Sequence, residues 1–84
     1  MTRDEIQDKV IQIIVKVVGV PKEKVKPETR IQEDLGADSL TIADVMMEIE
    51  DQLNVSISEG DEAKIKSVSD VVGYIEEQQK KKAS

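Results

Sequence analysis

The sequence contains no cysteine and no histidine. Without cysteine, neither a disulfide nor a thiolate metal site can hold the fold together. Without histidine, the usual base for a serine nucleophile is missing, which argues against a hydrolase that uses a catalytic triad. Neighbouring acids such as Glu50 and Asp51 point apart on a helix, and the acids over 59–62 lack calcium-loop spacing. We therefore expect no catalytic residue and no dedicated metal site.

Aromatic residues and long apolar runs are also scarce. Tyr74 is the only aromatic residue in a chain of 84 residues that is 38% hydrophobic, so the core must be built from Val, Ile, Leu and Met. No apolar run approaches the length of a membrane span, and the N-terminus lacks a basic segment followed by an apolar stretch. We expect one soluble, cytoplasmic, monomeric domain over 1–84, with no stable membrane insertion and a disordered tail over 79–84.

Positive charge is missing from the middle of the chain. Residues 31–63 contain ten acidic residues and no Lys or Arg, a net charge of −10, whereas the rest of the chain carries +4. Nucleic acid and anionic lipid are poor partners for such a field, and basic patches on other proteins are good ones. Solubility is the plainer explanation of an acidic face. Acids that surround a candidate modification site favour a docking surface.

Helical periodicity and capping signals predict an all-α fold. Thr2 and Glu5 form a capping box for a first helix that ends at Gly19, although its many β-branched residues make a strand the competing interpretation. A long polar loop is expected over 19–37. Its expected anchors in the core are Val25, Ile31 and Leu35.

Three further helices are predicted after this loop. One spans about 39–53, a short third helix is capped by Ser58 with Asp61, and a fourth is capped by Ser67 with Asp70. The expected architecture is a small four-helix bundle with a long loop between helices 1 and 2 and a short third helix.

The helix over 39–53 has two distinct faces at about 100° per residue. Its core face comprises Ile42, Val45, Met46, Ile49 and Leu53. The nearly opposite side presents Leu40, Asp44, Met47 and Asp51. An apolar and acidic stripe that points away from the core is typical of a transient docking surface, although scattered exposed hydrophobic residues are also normal on any surface.

Residues 34–40 read Asp-Leu-Gly-Ala-Asp-Ser-Leu and join the loop to this helix. Ser39 falls in the first turn, where backbone N–H groups lack intrahelical partners and the helix dipole is positive, so an anion attached there is stabilised. Asp38 can serve as N-cap, Gly36 can adopt a conformation closed to other residues, and Leu35 can anchor the loop. Ser39 is therefore the candidate modification site.

This heptad resembles the modification site of acyl carrier proteins of dissociated (type II) fatty acid synthases. The likeness runs from about residue 3 to residue 78 and includes Met-Met-Glu-Ile-Glu-Asp at 46–51, Asp-Glu-Ala-Lys-Ile at 61–65 and Tyr-Ile at 74–75. The resemblance implies that Ser39 carries 4′-phosphopantetheine, which a phosphopantetheinyl transferase takes from coenzyme A. It also implies that the arm's thiol holds acyl chains as thioesters.

The resemblance thus implies a carrier of growing acyl chains in fatty acid biosynthesis, and not an enzyme. Fatty acid synthase enzymes with basic docking patches are then the expected partners. The expected partner-binding residues are Asp38, Leu40, Asp44, Met47, Glu48 and Asp51. The expected acyl-chain pocket comprises Ile42, Val45, Met46, Ile49, Leu53, Ile65, Val71, Val72 and Ile75.

Two alternatives stay open. The chain could be an unmodified acidic helical module that binds a basic partner protein, or a carrier for polyketide or aminoacyl groups. The sequence also departs from the family pattern: Thr41 stands where an acid is common, Ser58 where a proline often opens the third helix, and Leu53 where phenylalanine is frequent. Partner preference is the inference that these departures weaken most.

Overall fold

In the computed structural model, residues 2–58, 60 and 65–83 are described, with side chains as far as residue 80. Four α-helices and one 3₁₀ turn make up this part of the chain. The elements are α1 (Arg3–Val18), the 3₁₀ turn (Lys22–Lys24), α2 (Ile31–Leu35), α3 (Ser39–Leu53) and α4 (Val68–Ala83). The predicted all-α class is confirmed. The predicted short third helix lies mostly outside the described residues.

The first helix forms as its end signals predict. The Glu5 N–H donates to Thr2 Oγ1 at 3.2 Å, and the Thr2 N–H donates to Glu5 Oε1 at 2.9 Å, which completes the capping box. At the other end, Gly19 adopts a left-handed φ of 81° and its N–H donates to the Val15 carbonyl. The segment forms a helix and not a strand because tertiary packing stabilises its amphipathic face, on which Ile6 and Val10 are completely buried.

The expected long loop over 19–37 contains more structure than its sequence indicated. The 3₁₀ turn and α2 both lie inside it, so the loop prediction was wrong over 22–24 and 31–35. The start of α2 is stabilised because Asp34 Oδ2 accepts the Arg30 N–H at 2.8 Å. The anchor predictions were correct, since Val25 and Ile31 are 4% and 2% exposed.

The last helix begins at its predicted cap. The Asp70 N–H donates to Ser67 Oγ, and the Ser67 N–H donates to Asp70 Oδ2, both at 3.2 Å. The helix then continues to Ala83, whereas a disordered tail was expected from residue 79. Residues 79–83 read Gln-Lys-Lys-Lys-Ala, all strong helix formers with no glycine or proline, so intrinsic propensity sustains the helix.

Backbone hydrogen bonds join the segment before α4 to the segment before α2. The Ile31 N–H donates to the Lys66 carbonyl at 3.0 Å, the Val68 N–H to the Thr29 carbonyl at 3.0 Å, and the Ser69 N–H to the Pro27 carbonyl at 2.8 Å. These bonds place Ile65 and Lys66 beside α2. The segment before α4 is thereby fixed against α2.

The core lies between α1, α3 and α4, with α1 in contact with both other helices. Every buried side chain in the described residues is aliphatic or a methionine, apart from Thr29. The Thr29 hydroxyl accepts the Lys26 N–H at 2.8 Å and donates to the Lys24 carbonyl at 3.2 Å, so burial leaves it fully bonded. Within the described helices, none is long and apolar enough to cross a membrane.

Candidate functional site

Ser39 is the first residue of α3 and its side chain is exposed. Asp38 is the N-cap, and its Oδ1 accepts the Thr41 N–H at 2.8 Å. That hydrogen bond lowers the pKa of Asp38, so this carboxylate stays ionised near neutral pH. The Ile42 N–H donates to the Asp38 carbonyl at 3.0 Å, which starts the helix directly behind the serine. The predicted cap is confirmed, and Ser39 lies in a defined and accessible position.

The residues that lead to Ser39 are fixed from the inside. Gly36 has a φ of 69°, and no atom lies within 4 Å of the place that a Cβ would take, so the backbone conformation and not crowding selects glycine. Ala37 is 6% exposed, its N–H donates to the Ile31 carbonyl at 3.4 Å, and Leu35 packs partly buried against the core. The chain therefore enters α3 with little freedom to move the serine.

The two faces of α3 point as predicted. Leu40 and Met47 are 78% and 66% exposed, whereas Val45 and Ile49 are fully buried. We call the exposed stripe the outward face. It comprises Leu40, Asp44, Met47, Glu48 and Asp51. Glu48 is the least exposed of the five, and its Oε2 accepts the Gln52 side-chain amide at 2.8 Å.

An open groove of about 770 Å³ runs along the outward face. Its lining residues are Val17, Asp44, Met47, Glu48, Glu50, Asp51 and Val55. The four acids in this list form no ion pair with any described residue. Val17, Glu50 and Val55 were not predicted as part of this surface. Val17 belongs to the end of α1, so its contribution depends on how α1 and α3 cross.

Unpaired acids on so small a core should repel one another in the folded state. We expect the melting temperature to rise with ionic strength, and to rise further with Mg²⁺ than with NaCl at equal ionic strength, because salt screens this repulsion and a divalent ion neutralises it more fully. Thermal unfolding followed by circular dichroism gives the measurement. A melting temperature that does not respond to either salt would contradict a destabilising role of the acidic stretch.

A second cavity, of about 150 Å³, lies between α2, the first turns of α3 and the segment before α4. Its lining residues are Arg30, Ile31, Gln32, Glu33, Ile42, Ile65 and Lys66. Two predicted acyl-pocket residues, Ile42 and Ile65, line it. Residues three apart on a helix are neighbours, so Ile42 lies about one turn from Ser39.

The other predicted pocket residues lie in the packed core and line neither cavity described here. They are Val45, Met46, Ile49, Leu53, Val71, Val72 and Ile75. Five cavity residues, including Ile31 and Lys66, were not predicted to be part of a pocket. The cavity wall that α2 supplies was invisible because α2 itself was taken for loop.

Comparison with known proteins agrees with this geometry. Residues 8–75 match the protein family described as "Phosphopantetheine attachment site". The chain is 45% identical over 75 residues to an acyl carrier protein of Chlorobium phaeovibrioides, an alignment that covers 89% of this chain and 96% of that protein. It is 41% identical over 80 residues to the acyl carrier protein of Chloroherpeton thalassium, which covers 95% of this chain and all of that protein.

The chain belongs to the acyl carrier protein family. Its fold is also similar to the solved structure of the acyl carrier protein from Enterococcus faecalis, with a TM-score of 0.78 and 35% identity over 93% of this chain and 99% of that one. An acyl carrier protein bears covalently bound 4′-phosphopantetheine and serves as a carrier rather than an enzyme. An exposed hydroxyl at a helix N-terminus fits that group, because the phosphodiester is an anion.

Proposed function

We propose that Ser39 is the attachment residue for 4′-phosphopantetheine and that the protein carries growing acyl chains between enzymes of fatty acid biosynthesis. The supporting observation is the geometry of Ser39, which is exposed, is the first residue of α3 and follows an N-cap aspartate. When attached, the prosthetic group supplies a thiol on a long arm that holds acyl groups as thioesters. The protein itself presents the arm, stabilises its phosphate at the helix terminus and displays a docking surface.

Loading tests this proposal directly. The purified protein is incubated with a phosphopantetheinyl transferase and coenzyme A, and its intact mass is measured. We expect the mass to rise by one phosphopantetheinyl group, and the loaded protein then to accept acyl groups from fatty acid synthase enzymes. No mass change, under conditions that convert a control carrier, would leave an unmodified acidic interaction module as the better reading. Loading followed by transfer only from polyketide or aminoacyl enzymes would identify a carrier of another class.

The outward face of α3 is the proposed surface for the transferase and the synthase enzymes. It combines two large exposed apolar side chains, Leu40 and Met47, with acids that have no ion-pair partner among the described residues. Basic patches on a partner would be steered to the acids, and the apolar side chains would supply contact area. Asp38 lies directly beside Ser39, so a partner that reaches the serine also meets its charge. We expect the free protein to be monomeric and cytoplasmic.

Two substitutions should separate charge steering from apolar contact on this face. Asp44→Lys should slow association with a synthase enzyme and weaken its salt dependence, because exposed charges act mainly through steering. Met47→Ala should mainly speed dissociation, because it removes apolar contact. Binding kinetics measured across a range of ionic strengths provide the test.

A charge reversal elsewhere provides the matched control for this face. Asp8 is exposed on α1 and lines neither the groove nor the 150 Å³ cavity, so Asp8→Lys changes net charge equally and should leave binding nearly unaltered. Equal effects of Asp8→Lys and Asp44→Lys would show that net charge, and not the outward face, governs association. If neither Asp44→Lys nor Met47→Ala changed the kinetics, the acidic stripe would be a solubility feature.

The 150 Å³ cavity is the proposed entrance for the acyl chain. A cavity of about this volume can accept a molecule the size of benzene, so roughly six carbons fit without rearrangement. Three of its seven lining residues are isoleucines, and the other four are polar or charged. Val71, Val72 and Ile75 are fully buried and aliphatic, and they belong to the same core cluster as Ile65, against which Ile42 packs. Longer chains would have to separate these side chains, which carry no buried polar group that would oppose the movement.

A further inference from the structure

The mouth of the 150 Å³ cavity carries a lysine without an ion-pair partner among the described residues, and the proposed carrier role gives this lysine no task. Three isoleucines, Ile31, Ile42 and Ile65, form its apolar walls, and the charged lining residues are Arg30, Glu33 and Lys66. Arg30 and Glu33 are oppositely charged, so the ammonium of Lys66 is the remaining charge among the lining residues. An apolar cavity with a cation at its edge can bind a ligand that has both an aliphatic part and an anionic group.

The basic side chain that is free to bind an anion at this mouth is Lys66. The Arg30 guanidinium is already paired, with Nη1 at 2.6 Å from Glu33 Oε2 and Nη2 at 3.7 Å from Asp34 Oδ1. Lys66 is exposed and forms no ion pair with any described residue. The nearby Asp70 carboxylate accepts the backbone N–H groups of Lys66 and Ser67, and these bonds, with a smaller contribution from the Lys66 charge, lower its pKa. The Asp70 carboxylate therefore attracts the Lys66 ammonium electrostatically but forms no ion pair with it.

We propose that Lys66 determines which short acyl groups are held at this mouth. It does so by binding the free carboxylate of an acyl group that has a second carboxyl at its end. This role rests on the proposed attachment at Ser39. A purely aliphatic group can bury its chain among the three isoleucines. An unpaired carboxylate cannot enter that apolar space without a large desolvation cost, so such a group has to stay at the edge. The ammonium of Lys66 neutralises it there, at the cavity that Ile42 also lines, and Ile42 lies about one helical turn from Ser39.

A comparison of two nearly isosteric cargoes tests this role. A malonyl group and a butyryl group, each attached to the arm through a non-hydrolysable amide, differ mainly in the terminal carboxylate. We expect Lys66→Met to lower the melting temperature of the malonyl form relative to the butyryl form by about 2–4 °C, the shift that one exposed ion pair gives in a domain of this size. Lys66→Arg should preserve the difference. NaCl at 0.5 M should reduce it, because it shortens the Debye length to roughly 4 Å, from about 10 Å at 0.1 M.

The controls make the result specific to this position. Lys26 is exposed, lines neither cavity and forms no ion pair with a described residue, so Lys26→Met should leave the malonyl–butyryl difference unchanged. The fold should tolerate Lys66→Met, because the bond from the Ile31 N–H is to the Lys66 backbone carbonyl. Equal behaviour of Lys66→Met and wild type, or of Lys66→Met and Lys26→Met, would overturn the proposal.

Two other results are distinguishable from these. If Lys66 instead paired with the phosphate of the arm, Lys66→Met would destabilise both loaded forms equally and the difference between cargoes would not change, which also overturns the proposal. If Ser39 is not the attachment residue, the intact mass shows it when the arm is added, before any melting experiment. The intact mass therefore tests the carrier function, and the difference in melting temperature between the two cargoes tests the role of Lys66.

Discussion

Replacing Ser39 with alanine should abolish addition of the phosphopantetheinyl group and leave the fold intact. The substitution removes the hydroxyl oxygen to which the phosphate would be esterified. The fold should tolerate it because Ser39 is exposed and the cap is formed by Asp38, whose bond to the Thr41 N–H does not involve the serine. Alanine is also a strong helix former, so we expect a change in unfolding free energy within about 0.5 kcal/mol.

Intact mass and thermal unfolding, measured on the same sample, give the result. Ser58→Ala is a suitable control, because Ser58 is also exposed but lies outside every described helix, and it should load like the wild type. Full modification of Ser39→Ala would place the attachment at another residue while leaving the carrier function standing. Loss of the fold would instead mean that Ser39 has a structural role that its exposure does not suggest.

The parts of this fold that sequence analysis predicted correctly are those that local rules determine. The capping box at Thr2 and Glu5, the N-cap at Asp38 and the end of α1 at Gly19 all depend on residues within one helical turn. The two faces of α3 follow from helix geometry, which is why the exposure of Leu40 and Met47 could be anticipated. The position of Ser39 at the start of a helix follows from the same local rules, and its role as the attachment residue stays a prediction.

The parts that were missed depend on contacts between distant segments. Helix α2 has only five residues, too few for a periodic pattern, and it is held by the pairing of Arg30 with Glu33 and by the bond from the Ile31 N–H to the Lys66 carbonyl. Because α2 forms one wall of the 150 Å³ cavity, its omission also hid Arg30, Ile31 and Lys66 as site residues. The groove beside Met47 was incomplete for a similar reason, since Val17 comes from a different helix.

The end of α4 shows a conflict between two local rules. Chain termini commonly fray, and a polar tail without apolar periodicity favoured disorder over 79–84. The residues in question are nevertheless strong helix formers. They continue a helix that is capped by Ser67 and Asp70 and has Val71, Val72 and Ile75 in the core, so no new nucleation is needed. The helix propensity of these residues outweighed the tendency of a chain end to fray, and the helix extends to Ala83.

Replacing Ile49 with alanine should destabilise the protein by about 2–5 kcal/mol, because a fully buried aliphatic side chain is truncated and the surrounding core closes only partly around the cavity left behind. Small domains are stable by only about 5–15 kcal/mol, so this loss is a large fraction of the total. In a domain of this length each kcal/mol lowers the melting temperature by about 4–8 °C, and the variant should unfold at least 8 °C or so below the wild type. Urea unfolding curves give the free energy directly.

Met47→Ala is the matched comparison, since Met47 lies on the same helix two residues earlier and is also a large apolar side chain. It is 66% exposed where Ile49 is fully buried, so we expect its truncation to change the unfolding free energy by no more than about 0.5 kcal/mol. The two variants should therefore separate stability from recognition: Ile49→Ala weakens the fold, and Met47→Ala weakens partner binding in a fully folded protein. Equal destabilisation by both would mean that Met47 belongs to the core, and the outward face would then lose its central apolar contact.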